Sequence, residues 1–270
     1  MSTPLTPRSL ALVGAGKMGG AMLRGWLALG LDPLSVVIID PAPDPALLAR
    51  APGVSVNPDA PAPPEVLVLA VKPQMLDAAA PRLAALAGAD TLVISIIAGK
   101  TVANLRARLP GAGAIVRAMP NTPAAIGRGA TAAVGEGLSA RQSALTEALL
   151  GAVGLFEWVA DEGLIDAVTA LSGSGPAYVF ALVEAMAAAG AKAGLPADLA
   201  MRLARATVEG ASELLHQEPQ VPAATLRQNV TSPGGTTAAA LVVLQAPDGL
   251  GALMATAIEA ARRRAGELAG

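Results

Sequence analysis

The sequence predicts an α/β half on a mostly parallel sheet, residues 1–160, followed by an all-α half, residues 161–270. Three observations predict it. Short β-branched runs alternate with longer helical patterns as far as about Asp161, the rhythm of βαβ units. After Asp161 the strand signals stop and long Ala-rich helical patterns take over. A glycine-rich turn, GAGKMG at Gly14–Gly19, stands at the first strand–helix junction. At about 150 residues per domain, the length suits one large or two modest domains.

In order, the expected strands are Ser9–Val13, Ser35–Ile39, Glu65–Val71, Thr91–Ile97, Ala114–Met119, Ala130–Gly135 and Phe156–Val159. The run VLVLAV is apolar throughout, as a strand with helices on both faces should be. Helices are expected at Lys17–Leu29, Pro45–Ala51, Gln74–Leu86, Val102–Leu109 and Ala140–Val153. The Pro/Ala-rich stretch Pro41–Pro64 reads as a loop-rich part of the first half rather than a linker. The second half reads as helices at Glu162–Leu171, Pro176–Ala193, Ala197–His216, Ala223–Gln228, Thr236–Leu244 and Gly249–Leu268. Pro176 suits a first helical turn, where its missing N–H costs nothing. The helix around Ala177–Gly194 is small and apolar on most sides. Such a helix must be buried, and a helical half of this size has little interior, so a homodimer or larger homo-oligomer is expected.

Composition narrows the function. Hydrophobic residues make up 53% and charged residues 15%, which excludes a disordered chain. A net charge of −2 and only five aromatic residues argue against nucleic acid as a partner. With no cysteine and a single histidine, His216, there is no thiolate chemistry and no His-rich metal site, and a His-based triad is disfavoured. No metal is expected. The uncharged stretches Ala167–Val183 and Gln228–Asp248 are broken by SGSGP and SPGG, so neither reads as a membrane span. The N-terminal apolar run is too short for a signal peptide, and a soluble, cytoplasmic protein is expected.

The chemistry then falls to a cofactor, hydroxyls, carboxylates and backbone groups. In GAGKMG, Gly14 allows a tight turn, Gly16 lets backbone approach a pyrophosphate, and Gly19 lets helix and strand pack closely. The helix start offers N–H donors to the phosphates. Asp40, at the end of the second strand, is placed to accept from the adenosine ribose hydroxyls and to repel a 2′-phosphate, which favours NADH; alternatively Asp40-Pro41 only starts a turn. Ala70–Pro73 (AVKP) and Ile97–Gly99 fall at the same sheet edge, with Lys72 either a solvated loop lysine or a cofactor or substrate group. SGSGP reads as a helix break with Ser174 as the new N-cap. In NVTSPGGTTAAAL, Asn229–Leu241, two glycines precede an apolar helix and are flanked by the hydroxyls of Thr231, Ser232, Thr236 and Thr237. That composition exceeds what capping needs and suits a nest for a small anion such as a carboxylate. His216 complements a helix end, and Arg262–Arg264 form a solvated face.

Taken in order, GAGKMG, AVKP, SIIAG, RAMPNTP, ALSGSGPAYVF and NVTSPGGTTAAAL resemble the pyrroline-5-carboxylate reductase family over essentially the whole chain. The resemblance implies a Rossmann domain followed by an all-α dimerisation domain. It implies hydride transfer from NAD(P)H to the C=N carbon of 1-pyrroline-5-carboxylate, giving L-proline. It implies that Gly14, Ala15, Gly16, Lys17, Met18, Gly19, Asn57, Ala70, Val71, Lys72, Pro73 and Ala98 contact the dinucleotide, with Asn229 approaching it from the helical domain. Glu162, Ser232, Gly235, Thr236 and Thr237 would surround the substrate, and Thr237 is the candidate hydroxyl donor at the imine nitrogen. Relatives often carry Ser or Asn-Arg where this chain has Asp40, so the NADPH typical of the family is in question here.

Two rivals are weaker. A β-hydroxyacid dehydrogenase needs a lysine a few residues past a glycine pair, whereas none follows Gly175 until Lys192. A dinucleotide-binding regulator without turnover would not need the SPGGTT turn.

Overall fold

Leu10–Val13 (β1) is wholly buried, because helices cover both faces of the sheet it belongs to. This computed structural model describes residues 5–59 and 61–269. Met1–Pro4, on which the reading of the N-terminus partly rests, and Ala60 of the Pro41–Pro64 stretch lie outside the described residues.

After β1 come α1 (Lys17–Ala28), β2 (Val36–Ile39), α2 (Pro45–Ala49), β3 (Ser55–Val56), β4 (Val66–Leu69) and α3 (Leu76–Leu86). Then follow β5 (Leu92–Ser95), α4 (Val102–Arg108), β6 (Ala114–Met119), β7 (Gly129–Glu136), α5 (Ala140–Gly151) and β8 (Gly154–Trp158). The eight-stranded sheet has the order β3-β2-β1-β4-β5-β6-β7-β8. Every neighbouring pair is parallel except β6 and β7. The mostly parallel Rossmann sheet expected from the sequence is therefore present, with β3 as an addition. That two-residue strand sits in the Pro/Ala-rich stretch and has too few residues to show a periodicity.

Alternation along the strands sorts the core onto two faces. Leu10, Leu12, Val66, Val68, Leu92 and Ile94 pack with Met22, Leu23 and Trp26 of α1 and Leu145, Leu149 and Leu150 of α5. Ala11, Val13, Leu67, Leu69, Val93 and Ile115 pack with Leu76, Leu83, Leu86 and Leu105 of α3 and α4. Trp26 Nε1 donates to Leu149 O at 2.8 Å, which fixes α1 against α5. Local chemistry sets the helix starts. Thr101 with Asn104 and Ser139 with Gln142 form capping boxes on α4 and α5, and Asp44 caps α2. Each such cap stabilises its helix by about 1 kcal/mol.

The remaining elements are α6 (Leu164–Val168), a π-helical segment Thr169–Gly173, α7 (Gly175–Lys192), α8 (Ala197–Gln217), α9 (Ala223–Asn229), α10 (Thr236–Leu244) and α11 (Leu250–Ala269). The backbone clusters into two units: the described residues up to Gly173 together with those from Ala261 on, and Ser174–Ala260. Residues 161–173 and those from Ala261 on, placed by sequence with the helical half, cluster with the sheet. Ser174 occupies the N-cap of α7, but its side chain makes no cap bond. The π-helical segment already runs helically into it (φ −86°, ψ −19°), so the extended backbone a hydroxyl cap requires is missing.

In the helical unit α7 and α8 approach closely through small residues, Ala187, Ala200 and Ala204 being buried. The larger apolar side chains remain open: Phe180 is 64% exposed, Val242 75% and Val243 71%, and α10 has no buried residue. Among the described residues no helix is long and apolar enough to cross a membrane.

Candidate active site

In a parallel sheet the loops after β1, β2, β4 and β5 share one edge, where open α/β sheets bind ligands. Gly14 turns the chain there with φ +91°, and a Cβ on it would lie 2.7 Å from Ala70 O. A Cβ on Gly19 would overlap Gly14 O. Those two glycines are required by packing of strand, turn and helix. Gly16 differs: its φ is ordinary and nothing lies within 4 Å of where a Cβ would stand. It caps α1 with no side-chain acceptor, and no acidic residue stands in the first turn. Open space beside uncapped N–H groups at the start of a 12-residue helix fits a dinucleotide's diphosphate.

Asp40, half-buried at the end of β2, accepts from Ala15 N–H through Oδ2 at 2.7 Å and from Ala42 N–H through Oδ1 at 2.8 Å. The carboxylate thus ties the glycine turn to the following loop and retains lone pairs for ribose hydroxyls. The Asp-Pro turn and the ribose acceptor are compatible in one residue. Asn57 uses both ends of its amide on the Asp40 main chain, so its side chain holds the aspartate in place. Further along the edge, Ala70 is half-buried, and Lys72 and Ala98 are exposed. Gly99, at φ +69°, is backed by the carbonyl of Leu268 in α11, 2.7 Å from where its Cβ would stand.

Beyond β5 lies a charged cluster of which the sequence reading named only Glu162. Arg117 on β6 is buried, and its Nη1 donates to Glu162 Oε1 at 3.0 Å while its Nη2 lies 3.5 Å from Asp166 Oδ1. Glu162 Oε1 also accepts from Val102 N–H at 2.8 Å. Asn121 of the MPNTP segment donates to Ser172 O at 2.9 Å and accepts from Ala130 N–H at 2.8 Å, anchoring the π-helical segment to the sheet. Among the described residues no group of three or more acidic or histidine side chains could hold a metal ion.

In the helical unit, Gly234 has φ +71° and Gly235 is the N-cap of α10, again with no side-chain cap bond. Ser232 and Thr236 are exposed and Thr237 is partly so. Thr231 is spent locally, its hydroxyl donating to Arg227 O at 2.6 Å. The turn therefore presents uncapped N–H groups and the hydroxyls of Ser232, Thr236 and Thr237. Asn229 ends α9 and is exposed.

Two family models match separate parts of the chain. Residues 162–268 match the family model described as pyrroline-5-carboxylate reductase dimerisation, and residues 9–99 match NADP oxidoreductase coenzyme F420-dependent. The pyrroline-5-carboxylate reductase of Pseudomonas aeruginosa is 42% identical over 269 residues, 98% of this chain and 97% of that one. The chain belongs to the pyrroline-5-carboxylate reductase family. The Synechocystis enzyme of that name is also 42% identical, over 96% of this chain and 97% of its own. Among solved structures, a pyrroline-5-carboxylate reductase from Coxiella burnetii is similar with a TM-score of 0.89 at 36% identity, covering 98% and 99% of the two chains. A Plasmodium falciparum pyrroline carboxylate reductase with NADP bound is similar at 0.77 and 25%, covering 97% and 98%. In this member of the reductase family, the first matched segment contains Gly14–Gly19, Asp40, Asn57 and Ala98, and the second contains Glu162 and the SPGGTT turn.

Proposed function

We propose that the chain reduces 1-pyrroline-5-carboxylate to L-proline with a reduced nicotinamide dinucleotide. The observation that carries the reading is the opening of α10, where a glycine cap leaves N–H groups without a side-chain acceptor beside three hydroxyls. Those N–H groups hold the substrate carboxylate, with Ser232 and Thr236 beside it. The bound dinucleotide supplies the hydride. The cyclic imine arrives largely protonated, so its carbon is already electrophilic and no strong acid is needed. Thr237 Oγ orients the ring nitrogen, which keeps its proton as the amine forms, and the negative charge of Glu162 suits the cationic ring. Most of the rate comes from positioning.

Asp40 makes NADH the preferred cofactor, since a 2′-phosphate would meet a carboxylate held in place by two amides and by Asn57. Two copies of the chain cover the open apolar faces of α7 and α10, making a homodimer or larger assembly.

The experiment is the initial rate of NADH and NADPH oxidation with racemic 1-pyrroline-5-carboxylate, with proline identified as product. Folded, oligomeric protein that turns over with neither cofactor would overturn the reading. In the same assay Thr237→Ala is expected to lower turnover about 100-fold or more with dinucleotide affinity retained. Unchanged turnover would remove the hydroxyl from the mechanism.

A further inference from the structure

We infer that Arg117 is a positioning residue for this reduction, holding the Glu162 carboxylate in place while Asp166 balances its charge. The inference rests on the reading that Glu162 meets the substrate. Arg117 lies within β6 on the sheet face that also carries Ile115, a place where packing alone asks for an apolar side chain. A buried guanidinium there is costly unless paired. It is paired twice, with Glu162 at 3.0 Å and Asp166 at 3.5 Å, residues far from it in sequence.

The arrangement does more than neutralise a cation. One positive charge against two carboxylates leaves the group with a net negative charge. Oε1 of Glu162 is fixed from two directions, by Arg117 and by Val102 N–H at the start of α4. Oε2 accepts no hydrogen bond among the described residues, and the side chain is 31% exposed. A carboxylate pinned through one oxygen and unpaired at the other is a directional partner for a cation. The strand order places it at the β5–β6 end of the edge. A dinucleotide bound at the β1–β4 switch of strand order, with its ribose at Asp40 after β2, would extend its nicotinamide toward β4 and β5. A protonated imine that accepts hydride belongs at that end. A purely structural staple between β6 and the segment before α6 would need the ion pair but not the unpaired oxygen.

The test is a mutant cycle on the full chain with Arg117→Met, Glu162→Gln and the double variant. Steady-state rates are measured with the imine at saturating dinucleotide, and dinucleotide Kd by fluorescence titration. Arg117→Met is expected to lower kcat/KM for the imine about 10- to 100-fold. Dinucleotide Kd should stay within about twofold, and the double variant should be no worse than Glu162→Gln alone within about twofold. Arg117→Lys, which keeps the charge but loses the planar fork, should fall between. If Arg117→Met fails to fold, Arg117→Lys takes its place in the cycle. Losses that multiply in the double variant, or wild-type kcat/KM in both Arg117 variants, would overturn the proposal. Full activity in Glu162→Gln would instead show that the reading of Glu162 itself is wrong, whatever Arg117 does.

Discussion

Asn57 clasps the main chain of Asp40 at two points: its Oδ1 accepts from Asp40 N–H at 3.0 Å, and its Nδ2 donates to Asp40 O at 2.7 Å. Asn57 sits at φ +47°, a left-handed conformation that asparagine tolerates better than most residues, and its own N–H donates to Ile38 O at 2.8 Å. The aspartate at the end of β2 is thereby held in place. Asp40→Ser should therefore shift the ratio of kcat/KM values toward NADPH by about tenfold or more, through loss of like-charge repulsion. Parallel titrations with both cofactors check this, and an unchanged ratio would mean that Asp40 serves only the turn.

Gly16 and Gly19 make opposite demands on a substitution. Gly16→Ala meets open space at an ordinary φ, so the melting temperature should hold while dinucleotide affinity falls about tenfold or more, the methyl standing where backbone approaches the diphosphate. Gly19→Ala collides with Gly14 O and should destabilise the fold itself. Thermal melts alongside binding titrations separate the two effects.

Thr131, 3% exposed on β7, has a hydroxyl with no hydrogen-bond partner among the described residues. Replacing it with valine keeps the shape and removes a buried unpaired polar group, which should stabilise the protein by about 1 kcal/mol in urea unfolding. A loss of stability would point to a partner the hydroxyl does find.

Glu65 gives a prediction with a sign in pH. Burial pushes its carboxyl up, but hydrogen bonds from Arg141 and Arg8 overcome this and hold it below the usual range. A carboxylate lowered in the folded state contributes stability above its unfolded value of about 4.3, and loses it as pH falls through the folded value. Glu65→Gln should then melt lower than the parent at pH 7, with the gap closing below about pH 4. A gap independent of pH would assign the effect to packing.

Much of this was legible because it is local. GAGKMG is a strand, turn and helix start within a few residues, and the apolar runs of β1, β4 and β5 identify buried strands by themselves. The open cap of α10 followed from two glycines in a row, although Thr231 turned out to be spent on Arg227. What escaped depends on residues distant in sequence or on elements too short for a period. β3 has two residues, and Arg117 finds Glu162 only after β7, α5 and β8 have been laid down between them. Ser174 carries the right side chain for a cap, but its backbone is set by the π-helical segment, which no local pattern announced.

The carbonyl of Leu268 behind Gly99 bears on how the molecule is made. During synthesis the strands and the loop after β5 emerge early, whereas the helical turns that back this loop emerge only after α7 to α10. A ribosome-bound chain can assemble most of the sheet yet still lack the support for the loop after β5. The backing of that loop thus arrives late in translation, and a nascent chain halted before Ala261 would carry a Rossmann sheet with the loop unsupported.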